Sequence, residues 1–377
     1  MEEWKTYRLG EVINVLDYKR IPLSSKQRES RKGPYPYYGA QGIIDYIDDF
    51  LFDGEFLLIA EDGENLKSQK QNVAQIARGK YWVNNHAHIV ESNGLCDIRY
   101  ICYLLNQIDL SGYITGSAQP KLNQANLLAI ELQLPKLKTQ IRLADFLSTF
   151  DIKIELNNRI NHNLEEQAQA LYKSWFIDFE SFKDGKFVDS DLGMIPDGWQ
   201  VKNLLEISQL FDSKRKPLSG KEREQMSKIY PYYGATSIMD YVDSYIFDGI
   251  YLLMGEDGSV MTEDGYPFLQ YVSGKFWPNN HAHVLQGANG FSTEMLHCAL
   301  LRKVVKSSVT GAVQAKISQA NMKKILFPCP PTTILNAFDR QLQTIYCQKR
   351  NIEVQNVSLE MLRDSMLPRL MSGQLTC

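Results

Sequence analysis

The stretch YPYYGAQGIIDYIDDFLFDGEFLLIAEDG at 35–63 returns at 230–258 as YPYYGATSIMDYVDSYIFDGIYLLMGEDG, with 18 of 29 positions identical. The offset of 195 residues holds well beyond these segments. Trp4 maps to Trp199 and Leu9 to Leu204, KRIPLSSKQR (19–28) maps to KRKPLSGKER (214–223), and NNHAH (84–88) maps to NNHAH (279–283). TGSAQPKLNQANL (115–127) maps to TGAVQAKISQANM (310–322), and Pro135 to Pro330. Solenoid repeats run about 20–50 residues, so this period is too long for one. The chain is a tandem duplication of a whole domain together with the segment C-terminal to it.

That C-terminal segment is helical. Leu143, Leu147, Phe150, Ile154, Asn157, Asn161, Leu164, Ala168, Leu171 and Trp175 advance by steps of four and three, the spacing of a coiled-coil seam. Adding the offset yields Phe338, Leu342, Ile345, Lys349, Ile352, Asn356, Leu359, Arg363, Met366 and Leu370, with Lys349 and Arg363 interrupting the apolar series. Each run predicts a helix of roughly 40 residues, about 60 Å long. In a duplicated chain two such seams pair most simply about a two-fold, which makes the helices antiparallel. A centred pairing sets Asn157 opposite Asn356, a polar contact that fixes register; the other reading leaves both asparagines at a solvated edge.

The rest of the unit mixes strand-like runs (EFLLIA, HAHIV) with a helical stretch, IRYICYLLNQI, between turn signals such as Phe52-Asp53-Gly54 and Glu61-Asp62-Gly63. The expected fold is α+β: a globular domain at 1–135, a helix at 136–180, a linking loop at 181–198, a second globular domain at 199–330 and a closing helix at 331–377. The hydrophobic share of 44 % suffices for real cores. With no run of 18 apolar residues and no signal-peptide pattern at the start, a cytoplasmic chain is expected. Cys96, Cys102, Cys298, Cys329, Cys347 and Cys377 form no CxxC pair and none recurs at the offset, so reduced thiols are expected rather than a zinc knuckle or disulfide framework.

Catalytic signatures are missing: there is no GxGxxG, Walker loop or GxSxG elbow, and Pro330-Pro331-Thr332 lacks the aromatic of an adenine-methyltransferase motif. The best enzyme candidate is the repeated His-Ala-His. His86 with His88, and His281 with His283, would point to one face of a strand, where Glu61 and Asp62, or Glu256 and Asp257, would complete a metal site. The alternative is an interior strand with hydrogen-bonded or DNA-contacting imidazoles.

Net charge is −3, so nucleic-acid contact must come from local patches. Two exist. Lys19, Arg20, Lys26, Arg28, Arg31 and Lys32 precede Tyr35, Tyr37 and Tyr38, while Lys214, Arg215, Lys216, Lys221, Arg223 and Lys228 precede Tyr230, Tyr232 and Tyr233. Cations beside tyrosines suit phosphate contact plus stacking. The TGxxQxK loops add Gln119 and Lys121, and Gln314 and Lys316, or else are turns entering a helix. Between EDG and NNHAH the copies diverge, residues 64–78 and 259–273 sharing only Gln75/Gln270. That segment, with Lys67 and Lys70, is either a reader of sequence differences or a tolerant loop.

In their order, twice over, YPYYGA, FDG…EDG, NNHAH, TGxxQxKxxQAN before a proline, and GWQVKNLLEI after the linker resemble the type I restriction–modification specificity subunits. LEEQAQALYKSWFIDF and LRDSMLPRLMSGQL at the helix ends add to the likeness, which covers essentially the whole chain. The resemblance implies two target-recognition domains, each reading half of a bipartite double-stranded DNA site, and an antiparallel spacer coiled coil that sets the gap. It also implies no chemistry in this chain. Two modification subunits carrying S-adenosylmethionine would dock on the spacer helices and methylate adenine, with motor-nuclease subunits added for restriction. A self-sufficient metal-dependent enzyme and a coiled-coil scaffold without DNA binding are the competing readings.

Overall fold

The computed structural model describes residues 4–68, 71–116, 119–311 and 314–375. It divides into two units, Met1–Glu155 with Val357–Cys377, and Leu156–Asn356. In the first unit β1 (Lys5–Arg8) pairs antiparallel with β8 (Glu131–Leu134), closing the domain on itself. Between them lie β2 (Ile13–Val15), β3 (Lys32–Gly39), β4 (Gly42–Ile47), β5 (Phe52–Ala60), β6 (Ala74–Val83) and β7 (Ala87–Ser92). These six form one sheet in the order β2-β7-β5-β6-β3-β4, antiparallel except for β3 on β6. The apolar run Leu57-Leu58-Ile59 suits a strand covered on both faces. Leu57 and Ile59 enter the core beneath the helices, and Leu58 joins Tyr81, Val83 and Ile89 on the other side.

The second unit repeats this plan. A short ribbon, β9 (Phe187–Val188) with β10 (Ile195–Pro196), precedes the β11 (Gln200–Asn203) and β18 (Leu326–Cys329) pair. The six-stranded sheet is β12 (Ser208–Leu210), β17 (Ala282–Gly287), β15 (Phe247–Gly255), β16 (Leu269–Pro278), β13 (Tyr230–Tyr233) and β14 (Ile238–Val242), in that order. The linker is therefore more than the expected loop. Ile195 and Trp199 are buried, and Phe179 and Phe182 stack edge-on against Trp199 at 5.4 and 5.2 Å. The helix expected over IRYICYLLNQI ends early, at Leu105. Asn106 leaves it because its side chain accepts from the Val73 and Ala74 N–H groups and donates to the Ala74 carbonyl, capping the start of β6.

The two long helices span Leu137–Phe176 and Thr332–Met371, 40 residues each. They pack antiparallel as a coiled coil: in the first unit the start of one lies with the end of the other, and in the second unit the reverse. Every one of the twenty seam positions is buried or half-buried, including Leu147, Phe150, Ile154, Leu164, Leu342, Ile345, Ile352 and Leu359. Arg363 reaches Asp151 at 2.5 Å, and Lys349 lies 3.3 Å from Glu353, so each charge in the seam is answered. Asn157 Nδ2 donates to Asn356 Oδ1 at 2.7 Å and to Gln355 Oε1 at 2.8 Å, and Asn356 Nδ2 donates to Asn158 Oδ1 at 2.8 Å. The solvated-edge reading fails, since Asn157 is 1 % exposed.

Removing Asn157 leaves the buried Asn356 Oδ1 without its donor, although Asn356 Nδ2 keeps Asn158. Asn157→Leu should cost about 1–3 kcal/mol, and adding Asn356→Leu should restore most of it at the expense of register specificity. A double-mutant cycle by denaturant unfolding measures this; simple additivity of the two losses would overturn the pairing.

Candidate nucleic-acid interface

A half-buried charge cluster around a buried histidine lies at one end of each sheet. The turn Asp17–Lys19 places Asp17 three residues before Arg20, β5 delivers Glu61 at its end, and β7 delivers His88. Arg20 Nη2 is 3.1 Å from Asp17, and its Nη1 is 2.8 Å from Glu61 and donates to the Ala87 carbonyl at 2.9 Å. His88 Nδ1 meets Asp17 at 2.5 Å and Nε2 meets the Leu122 carbonyl at 2.8 Å. Lys121 Nζ stands 3.2 Å from Glu61. The second unit repeats every contact: Arg215 with Asp212 at 3.4 Å and Glu256 at 2.6 Å, His283 with Asp212 at 2.6 Å and the Ile317 carbonyl at 2.7 Å, and Lys316 with Glu256 at 3.2 Å.

Burial alone would raise the Asp17 carboxyl, but the His88 hydrogen bond, the Ile89 N–H and Arg20 outweigh it and hold it below the usual carboxylate range. Glu61 is lowered against its burial by Arg20 and Lys121, and Asp212 against its burial by His283.

The cluster gathers four loops. Glu61 N–H donates to the His86 carbonyl at 2.9 Å, Leu122 N–H to the Glu61 carbonyl at 2.8 Å, Gly63 N–H to the Pro120 carbonyl at 3.3 Å and Asn84 N–H to the Tyr38 carbonyl at 3.0 Å. Residues 39–42, 61–63, 84–86, 115–116 and 119–121 thus meet, presenting Gln41, His86, Gln119 and Lys121 to solvent. Gly116 makes the last loop possible: its φ is +84°, and a Cβ there would stand 2.3 Å from the Gln119 carbonyl oxygen. Gly311 does the same for Gln314, and His281 and Lys316 complete the second surface. His86 bonds Asp62 at 2.7 Å, as His281 bonds Asp257.

Several expected contacts are corrected. Arg20 and Arg215 are spent inside the cluster. Arg28 lies over the Tyr37 ring at 5.1 Å and bonds Asp45 at 3.0 Å, and Arg223 lies over Tyr232 at 5.0 Å and bonds Asp240 at 2.9 Å. Tyr37 and Tyr232 are buried, their hydroxyls accepting from the Leu23 and Leu218 N–H groups, so no base can stack on them. Tyr35 and Tyr38, like Tyr230 and Tyr233, are half-buried against Phe50, Tyr81, Tyr245 and Phe276 respectively. Lys19, Lys26, Lys67, Lys214 and Lys221 remain exposed, while Lys70 lies outside the described residues.

The metal reading also loses its geometry. His86 sits in a turn while His88 is on the strand, so the pair does not share a face. Asp17, Glu61 and His88 do converge, as do Asp212, Glu256 and His283. Yet a guanidinium occupies the cation's place in each, and both ring nitrogens of each buried histidine are already bonded. Overlooked in the sequence are Asp17 and Asp212, which the repeat reveals as matching acids three residues before each arginine. Tyr18, 78 % exposed beside Lys19, carries no repeated signal because its counterpart is Ser213.

A family model described as the type I restriction modification DNA specificity domain matches residues 1–166 and again 196–355. The chain belongs to that family. Over 424 alignment positions, covering 99 % of this chain and 96 % of the relative, it is 26 % identical to the MjaIX type I restriction enzyme specificity subunit of Methanocaldococcus jannaschii. S.HindORF215P, a Haemophilus influenzae relative ascribed to the same class, is 37 % identical over 145 residues, spanning 38 % of this chain and about a third (36 %) of that one. The fold matches the crystal structure of a type I restriction–modification S subunit from M. genitalium, with a TM-score of 0.56, 15 % identity, and 98 % and 96 % of the two chains covered. No helix among the described residues of this specificity-family chain is long and apolar enough to cross a membrane.

Arg20 and its exposed neighbour separate structure from DNA contact. Arg20→Ala removes the cation that Asp17 and Glu61 share, leaving them His88 and Lys121, and should cost about 1–3 kcal/mol, whereas Lys19→Ala should stay within about 0.5 kcal/mol; urea unfolding of the two variants compares them. The carboxylates also set an acid limit. Their folded values lie below the unfolded ones, so their stabilisation is complete above about pH 4 and drains as pH falls through the lower folded values. Melting temperatures stepped from pH 7 to 3 should fall below about pH 4–5, and fall less in Asp17→Asn/Asp212→Asn, which starts lower.

Proposed function

We propose that this chain is the DNA-recognition subunit of a type I restriction–modification complex, in which each domain reads one half of a bipartite duplex site and the helix pair sets the distance between halves. The observation that carries it is that the same four-loop surface is built once in each unit, with identical Gln, Lys and His residues, in a chain of the specificity family. A single such module supplies modest affinity; two linked ones multiply it through effective concentration. Affinity in this reading rests on exposed lysines, Lys19, Lys26, Lys214 and Lys221 among them, and so is salt-dependent.

The chain performs no reaction in this scheme. Modification subunits, two of them by the symmetry of the duplication, dock on the long helices and bring S-adenosylmethionine and the catalytic residues. Motor-nuclease subunits would join for restriction. The complex then works in the cytoplasm, where its DNA is.

A base-resolution map of N6-methyladenine in cells expressing this chain with its modification subunit tests the reading. A two-part motif with an undefined gap, lost when the chain is omitted, is the expected result. Absence of methylation together with absence of salt-sensitive duplex binding would favour the scaffold alternative.

A further inference from the structure

The ribbon β3–β4 is the outermost element of the first sheet, and it pairs with β6 at Tyr37↔Trp82 and Tyr38↔Val83. Its counterpart β13–β14 is joined through Tyr232↔Trp277 and Tyr233↔Pro278. Each ribbon ends in a tight turn at the four-loop surface. Gln41 lies beside Gly63, where an added Cβ would stand 3.7 Å from its Nε2, and Gly234 N–H donates to the Ser237 carbonyl at 2.8 Å across the second turn. Around the turns, the copies agree: Asp62/Asp257, Asn84/Asn279, His86/His281, Gln119/Gln314 and Lys121/Lys316. At the turns they differ. Ala-Gln-Gly-Ile-Ile at 40–44 stands against Ala-Thr-Ser-Ile-Met at 235–239.

Of the differing side chains, Gln41, Thr236 and Ser237 are exposed, Ile44 is 52 % exposed, and Met239 is 55 % exposed while its sulfur accepts from Asn279; the shared Ile43 and Ile238 are 45 % and 43 % exposed. Their immediate surroundings are cationic or amide-bearing. Lys32 and Lys228 each bond an aspartate of the outer strand, and Lys121 and Lys316 each bond the glutamate that opens a neighbouring loop of the same surface. An apolar ridge beside half-exposed lysines, each standing on a carboxylate, suits the major groove, which admits a two-stranded ribbon between its phosphate walls. The groove also offers matching chemistry: a glutamine amide pairs bidentately with adenine, and aliphatic groups meet the thymine methyl.

We infer that the turns Ala40–Ile44 and Ala235–Met239 are the base-reading elements of their domains, and that Gln41, Gly42 and Ile44 against Thr236, Ser237 and Met239 set the difference between the half-sites. This rests on the DNA-recognition reading and moves the principal determinant from the divergent segments 64–78 and 259–273 to the turns. The residues identical in both copies then grip backbone, and the segments behind the turns hold them.

The test transplants one turn. Gln41→Thr/Gly42→Ser/Ile44→Met in the full chain, expressed with its modification subunit, should change one half of the methylated motif and leave the gap and the other half intact. Methylation of the unaltered motif at undiminished occupancy would overturn the inference while leaving the recognition role standing. Because Gly42 has a φ of +122°, the triple variant is strained and its silence is resolved by Gln41→Ala, an exposed substitution. That variant should lose about ten- to hundredfold discrimination at one base pair, with salt-dependent binding to nonspecific duplex unchanged. Full discrimination retained by Gln41→Ala would also overturn the inference. If the unmutated complex yields no two-part motif, the recognition reading itself fails and takes the inference with it.

Discussion

Arg20 and Arg215 each tie together segments that the chain keeps far apart. Asp17, Glu61, Ala87 and, through Glu61, Lys121 all depend on one guanidinium in the first unit. Isolated, any one of these charges would be costly to bury; together they are satisfied. Because the carboxylates sit at strand ends, satisfying them also fixes where the loops leave the sheet. The exposed Gln119, Lys121 and His86 therefore stand on a rigid base, which is what a polar surface needs if it is to hold one register on a duplex. The arginines fix the loops without themselves reaching the surface.

The helix pair imposes the second constraint. In the first unit Leu143, Leu147, Leu367 and Leu370 share one core with the sheet and with Tyr100 and Leu105. In the second, Ala168, Tyr172, Phe338 and Leu342 do so with Leu252 and Met295. Each domain thus closes only when the start of one helix and the end of the other are both present. Copies of one fold risk docking the wrong helix, and the polar contacts answer this. Arg99 of the first domain bonds Asp145 of its helix at 2.7 Å, whereas Glu294 of the second bonds Arg350 of its own at 2.8 Å. The polarity is reversed, so exchanged docking would set like charges together.

How much of this is legible from residues alone depends on which forces write periodic signals. The seam is legible because a heptad leaves an apolar residue every three or four positions, and its exceptions Lys349 and Arg363 are visible as exceptions. The strand Phe52–Ala60 is legible from its continuous apolar run. The fate of the cations is not. Arg20 and Lys19 are adjacent letters of the same basic run, yet one is internal and the other exposed, because only a three-dimensional partner distinguishes them. Tyr37 and Tyr38 illustrate the same limit: alternation along β3 buries one under Arg28 and sets the other against Tyr81. The linker reads as loop since its two-residue strands are too short to carry a period, and its order comes from aromatic packing around Trp199.

Edge strands set the last constraint, at the surface. An exposed outer strand invites unwanted pairing, and proteins blunt it with charge or cover. Here β4 carries Asp45, salt-bridged to Arg28 and Lys32, but also Ile43, Ile44 and Tyr46, each 45–52 % exposed. In β14 the equivalent positions are Ile238, Met239 and Tyr241, also exposed, with Asp240 held by Arg223 and Lys228. Duplication alone would reproduce such a liability, but the copies differ, Ile44 against Met239 and Gln41 against Thr236, while keeping the apolar character of the ridge. An accidental patch on a tolerant surface has no reason to vary in side chain yet stay apolar beside cations that both copies keep. A ridge that meets base edges does: the groove demands contact, and each half-site demands a different one.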